Sequence, residues 1–294
     1  MADGVSNPKL EVRVVLLCCD GLYQRDLMRQ ISREFCLQAI VLQTGDSQRV
    51  SFRKRLWRYR SPVDLARYAT ARLLWPAYDK RARPTLSALF YENGRPPDLA
   101  EDVPIIRVAN VNHPATEAAL DRYCPDVVCV NGTQLIRRPL RERAAALPLG
   151  MINLHTGLSP YSRGGNCNLF MLLERHPELV GITVHHIDGG IDHGDIIITD
   201  RPNMNPEDSY EMIDAKTFRL GNDRMIDAVR RLASGKAERV PQWTEGKLFL
   251  RRTGYLYDPY LRVQVNRMLS NGLIADYLAR RDQFDAGIRL VGNQ

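Results

Sequence analysis

The amino-acid sequence predicts an α/β protein: a doubly wound, mostly parallel sheet with a helical insertion and a small C-terminal appendage. Three observations predict it. Short continuous apolar runs, such as "RVVLLCC" from Arg13 to Cys19, suit strands buried on both faces, as in parallel sheets. Helical segments fall between these runs, and right-handed crossovers wind such an alternation into layers. The chain has 294 residues, and at that size about 75% of the unfolded surface is buried on folding, so the core needs no covalent staples.

The elements follow in order. After the first strand, "DGLYQ" is a turn and Arg25 to Phe35 a helix. "LQAIVLQTG" is the second strand and "VPIIRVANV" the third, followed by a helix from about Thr116 to Tyr123. "PDVVCVNG" and "LGMINLH" are the fourth and fifth strands. A helix over Asn166 to Arg175 is expected to stop at Pro177. "GITVHHID" and "DIIITD" are strands around the turn "GGIDHG". Asp208 with Glu211 resembles a capping box opening a long helix that ends near Gly235. Residues 1–238 are read as the catalytic domain and 239–294 as the appendage.

The segment 48–98 interrupts this rhythm as a basic helical insertion lying on the sheet. Within it Ser61 can cap, Pro62 suits the first turn and Asp64 favours the positive end of the helix dipole. Val63, Ala66, Leu73 and Leu74 form a rough apolar stripe. Its arginines, interleaved with aromatics, read as a solvated face or dimer contact, a substrate lid, or a nucleic-acid or membrane surface.

The polar residues at the end of the fifth strand carry chemistry. Asn153 and His155 are two apart, so a strand points both to one face. They sit at the carboxyl end of a parallel strand, where open α/β sheets place their ligands. Glycines on both sides of Asp192 allow a tight loop with positive φ. A carboxylate brought against His155 is expected to raise the imidazole pKa and favour the cation. Such a trio suits a neutral amine attacking an acyl carbon: Asn153 and His155 stabilise an oxyanion, and Asp192 helps remove the proton. On spacing alone a bland reading stays open: Asn153 capping a turn, His155 bonded to backbone, Asp192 closing its own turn.

Asn153-Leu154-His155, Leu158-Ser159-Pro160, Arg163-Gly164, Gly181-Ile182-Thr183-Val184 and Ile191-Asp192-His193-Gly194, in that order, resemble the N10-formyltetrahydrofolate-dependent formyltransferase family. The resemblance spans about Arg13 to Gly235 and implies a Rossmann-like formyltransferase fold with Asn153, His155 and Asp192 as the catalytic residues. It implies N10-formyltetrahydrofolate as co-substrate and no metal. The pterin would be held largely by backbone at Gln134, Leu135 and Ile136 and by the loop Asp188, Gly189, Gly190, Ile191. Tyr161, Arg163, Gly164 and Gly165 would contact the acceptor.

Within that family the stretch after Arg239 is too short for the β-barrel of methionyl-tRNA formyltransferases, and "CCDGLYQRD" lacks the glycine-rich first loop of glycinamide ribonucleotide transformylases. The turn "HTGLSPYSRGG" is more similar to enzymes that N-formylate nucleotide-linked amino sugars for bacterial surface polysaccharides such as lipopolysaccharide O-antigen. The expected reaction is direct attack through a tetrahedral intermediate on a nucleotide-linked amino sugar. Alternatives are another small amine, methionyl-tRNA, or a non-catalytic folate- or nucleotide-binding module with an RNA-contacting insertion.

The net charge of +7 favours an anionic partner. A diphosphate on a sugar meets that charge, with the basic insertion, Arg163 and the Arg251/Arg252 pair as candidate bidentate partners; nucleic acid is not the expected partner. None of the six cysteines forms a C-x-x-C pair, and the first residues show no secretory pattern, so a cytoplasmic homodimer without a membrane span is expected. His185 and His186 point to opposite faces of their strand and so cannot share a metal; one is expected at the core edge, the other in solvent.

Overall fold

The computed structural model describes residues 9–44, 61–99 and 102–292. Part of the basic insertion, including Phe52, Trp57 and Tyr59, lies outside the described residues.

Strand β1 (Leu10–Cys19) is the centre of the architecture. Val14 to Cys18 are wholly buried, because each face of the strand meets a separate layer of helices. Val14, Leu16 and Cys18 pack on one side with Leu27, Met28 and Ile31 of helix α1 (Leu22–Glu34). Val15 and Leu17 pack on the other side with Leu120 and Leu140. Those two leucines belong to α3 (Pro114–Tyr123) and α4 (Arg138–Ala145). The continuous apolar run is thus the sum of two alternating faces.

Around β1 the sheet adds β2 (Phe35–Gln43), β3 (Ile105–Val108), β4 (Val127–Asn131) and β5 (Gly150–His155). It ends with β7 (Ile182–His186) and β8 (Ile196–Asp200). The order is β3-β2-β1-β4-β5-β7-β8. The pairings from β3 through β5 are parallel, and β7 is antiparallel to both its neighbours. The expected doubly wound, mostly parallel sheet is the fold observed. The chain winds outward from β1 to β3 and then returns to the other side of β1 at β4. That reversal opens a crevice at the carboxyl ends of the strands.

Helix α6 (Tyr210–Ala233) covers the face that α1 covers. Asp26 of α1 is wholly buried and ties the two helices together. It accepts hydrogen bonds from Gln30 Nε2 and Asn222 Nδ2, both at 2.9 Å, and pairs with Arg29 and with Arg219 at 3.4 Å. Removing one side of such a buried network typically costs about 3–5 kcal/mol. The cap of α6 departs from expectation. Ser209 is the capping residue, its hydroxyl accepting from the Met212 N–H, while Asp208 is drawn away by Asn205 N–H and Lys216 Nζ.

Helix α2 (Pro62–Phe90) begins as expected, with the Ser61 hydroxyl accepting from the Asp64 N–H at 3.0 Å. Its placement and its stripe do not follow the expectation. It packs on α6 and on α7 (Pro259–Ser270) rather than on the sheet. Val63 and Leu73 are 59% and 79% exposed. The inward line is Tyr68, Ala71, Leu74, Trp75, Tyr78 and Ala82, so only Leu74 of the expected leucines is half-buried, and Trp75 lies against the Arg262 guanidinium of α7. The helix continues through Pro76 and Pro84.

The residues after 239 wrap back onto the molecule. Val240 bridges Ile196, and β9 (Lys247–Phe249) pairs in parallel with β6 (Ser162–Gly164). Helix α5 (Cys167–Leu173) ends before Pro177, which opens a short 3-10 turn instead. One apolar cluster joins α5 to α7 and to α8 (Leu273–Ala279); a last short helix, α9 (Arg281–Asp285), follows. Tyr255 closes this cluster, its ring against Phe249 and Phe170 and its hydroxyl donating to Glu174 at 2.7 Å. No helix among the described residues is long and apolar enough to cross a membrane.

Candidate active site

Alternation along β5 sorts its side chains. Leu154 turns into the layer beneath α6, touching the position of Gly221, while Asn153 and His155 share the opposite face. The loop between β7 and β8 brings Asp192 over them. The glycines beside Asp192 do not take the positive φ expected of them; Asp192 does so itself, at 46°. A non-glycine residue held there is uncommon, and Asp tolerates it better than most. Gly194 is required for another reason: a Cβ there would lie 1.8 Å from the His186 carbonyl oxygen.

The three side chains converge. Asp192 Oδ2 is 3.5 Å from His155 Nδ1, and Asn153 Nδ2 is 3.4 Å from Asp192 Oδ1. The Gly164 N–H donates to Asp192 Oδ2 at 3.0 Å, so that N–H is already used within the protein. Gly164 can serve because its φ is 100° and its α-carbon abuts the Phe249 carbonyl; a Cβ would come 2.4 Å from that oxygen.

A fourth residue completes the cluster. His185 is 3% exposed, and its Nδ1 lies 2.7 Å from the His186 carbonyl, which only a protonated Nδ1 can satisfy. Nε2 lies 3.2 Å from Asn153 Nδ2 and 3.6 Å from Asp192 Oδ1. His185 was expected only at the core edge or in solvent. The alternation of His185 and His186 holds, but both are buried, so neither is the solvated member of the pair. The signal in the sequence was position: His185 pairs directly across from Asn153 in the antiparallel register.

The electrostatics correct one expectation. His155 is 6% exposed, and burial lowers its pKa more than Asp192 raises it, with His185 adding to the lowering. The ring is therefore neutral near pH 7, not the cation expected from its partner alone. Asp192 moves the opposite way. Burial pushes its carboxyl up, but the attraction of His155 and His185 and the Gly164 N–H outweigh it, holding it well below the usual carboxylate range. Both ring nitrogens of His155 face oxygen, with Ser162 O 3.3 Å from Nε2, so the pocket can hold a second ring proton when one arrives. Burial pushes the Cys167 thiol up, and Asp192 adds to that, so it is not an activated nucleophile.

These residues open into a cavity of about 490 Å³. One wall is the end of β4 and the segment that follows it, residues 130–136, including Gln134, Leu135 and Ile136. The other is the loop with Asp188, Gly190, Ile191 and Asp192, and Gly164 and Gly165 form part of the rim. Gly189, Tyr161 and Arg163 are not among the lining residues. Tyr161 instead accepts from the Arg289 N–H at 2.7 Å and packs on Trp243. Arg163 keeps its Nε buried without a partner among the described residues. Arg251 and Arg252 are exposed just beyond the lining residue Leu250.

The wall after β4 is built for backbone recognition. Gln43 Oε1 accepts from the N–H groups of Val111 and Gln134, and Asn112 Nδ2 donates to the Leu135 carbonyl. The strand end is thereby fixed, while the N–H groups of Leu135 and Ile136 have no partner among the described residues. Asp188 is engaged by the Gly190 N–H at 2.8 Å and by His193 at 3.1 Å. Among the described residues no three His, Cys, Asp or Glu side chains are grouped to hold a metal ion.

A model of the formyl transferase family matches residues 79–229, half of the chain, and the match contains Asn153, His155, His185 and Asp192. A methionyl-tRNA formyltransferase from Syntrophus aciditrophicus is 28% identical over 141 residues, covering 48% of this chain and 44% of the relative. The chain thus spans about half the length of such curated relatives. In fold it is similar to a 4-N formyltransferase from Francisella tularensis, with a TM-score of 0.51 and 14% identity over 89% of this chain and 87% of that one. A phosphoribosylglycinamide formyltransferase from Anaplasma phagocytophilum is equally similar, at 0.51 and 16% identity over 81% and 98%.

Proposed function

Because the chain belongs to the formyl transferase family, we propose that it is an N-formyltransferase moving a formyl group from N10-formyltetrahydrofolate to the amine of a nucleotide-linked amino sugar. The observation that carries the reading is the convergence of Asn153, His155 and Asp192 within 3.5 Å in a cavity at the carboxyl ends of β4 and β5. The cavity suits a folate. Its 490 Å³ lies within the roughly 300–1,000 Å³ of small-molecule sites. The N–H groups of Leu135 and Ile136, which have no partner among the described residues, would donate to the planar heterocycle of the folate, with the Asp188–Ile191 loop opposite. The folate supplies the formyl group.

The residues divide the work by their charge states. Asn153 Nδ2 carries two hydrogens, one toward His185 Nε2 at 3.2 Å and one in a long contact to Asp192, and the second can turn to an oxygen on which negative charge develops. Asp192, held so far below the usual range, is a weak base at neutral pH. Its charge stabilises the positive nitrogen of the attacking amine. The neutral His155 ring takes the proton that the amine loses, Asp192 at 3.5 Å stabilises the imidazolium, and the imidazolium returns the proton to N10 of tetrahydrofolate as the carbon–nitrogen bond breaks. A buried Cys167 with a raised pKa favours direct transfer without a covalent enzyme intermediate.

A second reading, methionyl-tRNA as acceptor, is favoured by the name of the curated relatives. Against it, the segment from 239 to 292 folds as β9 and α7 to α9, tied into the cluster around α5. The test is incubation with N10-formyltetrahydrofolate and, separately, nucleotide-linked amino sugars and methionyl-tRNA, following tetrahydrofolate release and formylation of the amine. Formylated sugar is the expected result. Formylation of methionyl-tRNA alone would replace this reading with the second.

A further inference from the structure

A second cavity, of about 280 Å³, adjoins the first and shares Thr156, Asn166 and Phe218 with it. Its walls are Tyr210, Tyr257 and Phe218, and its polar groups are Asp214, Arg262 and Asn168. Asp214 lies on α6 one turn from Tyr210. Its one hydrogen bond among the described residues is a long one, from the Tyr23 hydroxyl at 3.4 Å. Burial pushes its carboxyl up to about 6, against the pull of Arg262, so at neutral pH it is an ionised acceptor short of donors. Arg262 is held between the rings of Trp75 and Tyr210, 4.7 and 5.1 Å from their centroids. Its Nε is 3.3 Å from Glu211 Oε1 but is not aligned to form a hydrogen bond.

We infer that this second cavity is the acceptor subsite and takes a single polyhydroxylated ring, with Asp214 accepting from ring hydroxyls, Arg262 donating to ring oxygens, and the aromatic wall facing the apolar C–H surface. The inference deepens the reading above and rests on it. Size supports one ring: the cavity falls just below the roughly 300 Å³ at which sites begin to enclose a drug-sized ligand. The nucleotide of the acceptor therefore lies outside it. Chemistry separates the candidate acceptors. A methionyl side chain offers a thioether and methylenes, which would take water from Asp214 and Arg262 without adding a hydrogen bond to either, an unfavourable arrangement. A sugar ring offers both donors and acceptors. Two of its residues, Tyr257 and Arg262, lie beyond residue 229, where the family match ends.

The experiment uses dTDP-, UDP- and GDP-linked 4-amino-4-deoxysugars as probes. The best-accepted probe is then assayed with Asp214→Asn, which keeps the side-chain shape, and with Arg262→Lys, both checked for wild-type melting behaviour. The subsite predicts that the acceptor KM rises roughly tenfold or more, as for loss of a hydrogen bond to a charged group, while the KM for N10-formyltetrahydrofolate stays within about twofold. An unchanged acceptor KM in both folded variants overturns the subsite, and so does an equal rise in both KM values. If the wild-type chain formylates none of the probes, the proposed function itself fails and the subsite with it; the two failures are thereby told apart.

Discussion

At the scale of the residue, the site depends on two opposing shifts within one pair. A free histidine titrates near 6.5 and a free aspartate near 3.9. Burial moves His155 down, and its partners move Asp192 down further from its own reference, so the pair spans neutral pH as ring and carboxylate. The sign has a measurable consequence. His155 is predicted to titrate below the ordinary histidine value in an NMR pH series, and Asp192→Asn, by removing the one charge that raises it, is predicted to lower it further. A ring that titrates above 6.5 would contradict its role as the proton acceptor. The same sign bears on stability. The folded state resists charging this ring, so stability contributed by the neutral form is present above pH 6.5 and is lost as pH falls toward the folded pKa.

At the scale of the element, the strands were legible in the sequence because burial on both faces leaves an unbroken apolar run, as in β1, β4 and β8. Asn153 and His155 were legible because a strand of known direction fixes which side chains share a face. What was not legible depends on partners distant in the chain. The inward face of α2 cannot be read from its apolar residues, since Trp75 meets the Arg262 guanidinium of α7 while Leu73 faces water. The strands β6 and β9 have three residues each, too few for a period, and their paired residues, such as Arg163 and Leu248, are 85 apart in the chain. Their pairing matters because it seats Gly164 against Phe249 and aims its N–H at Asp192. Gly164→Ala is predicted to lower both melting temperature and kcat: a side chain at φ 100° is strained by about 1–2 kcal/mol, and the contact with the Phe249 carbonyl must open. Calorimetry and turnover together check this; a variant unchanged in both would show that the pairing does not position the carboxylate.

At the scale of the whole molecule, the reversal of winding between β1 and β4 makes the crevice, and the wrapped C-terminal segment adds a second chamber beside it. The surplus charge of +7 attracts anions of either size, a sugar diphosphate or a tRNA. Salt separates them. A nucleotide sugar offers two phosphates, so the acceptor KM is predicted to change only modestly with added salt, whereas contact with 6–10 phosphates weakens binding roughly 10³–10⁵-fold between 50 and 200 mM salt. A steep dependence would favour the polynucleotide acceptor. The most direct test of the central claim is turnover of Asp192→Asn, measured as tetrahydrofolate release alongside equilibrium binding of N10-formyltetrahydrofolate. The account predicts that kcat falls roughly 10²-fold or more with folate affinity retained; full turnover by the folded variant would contradict it.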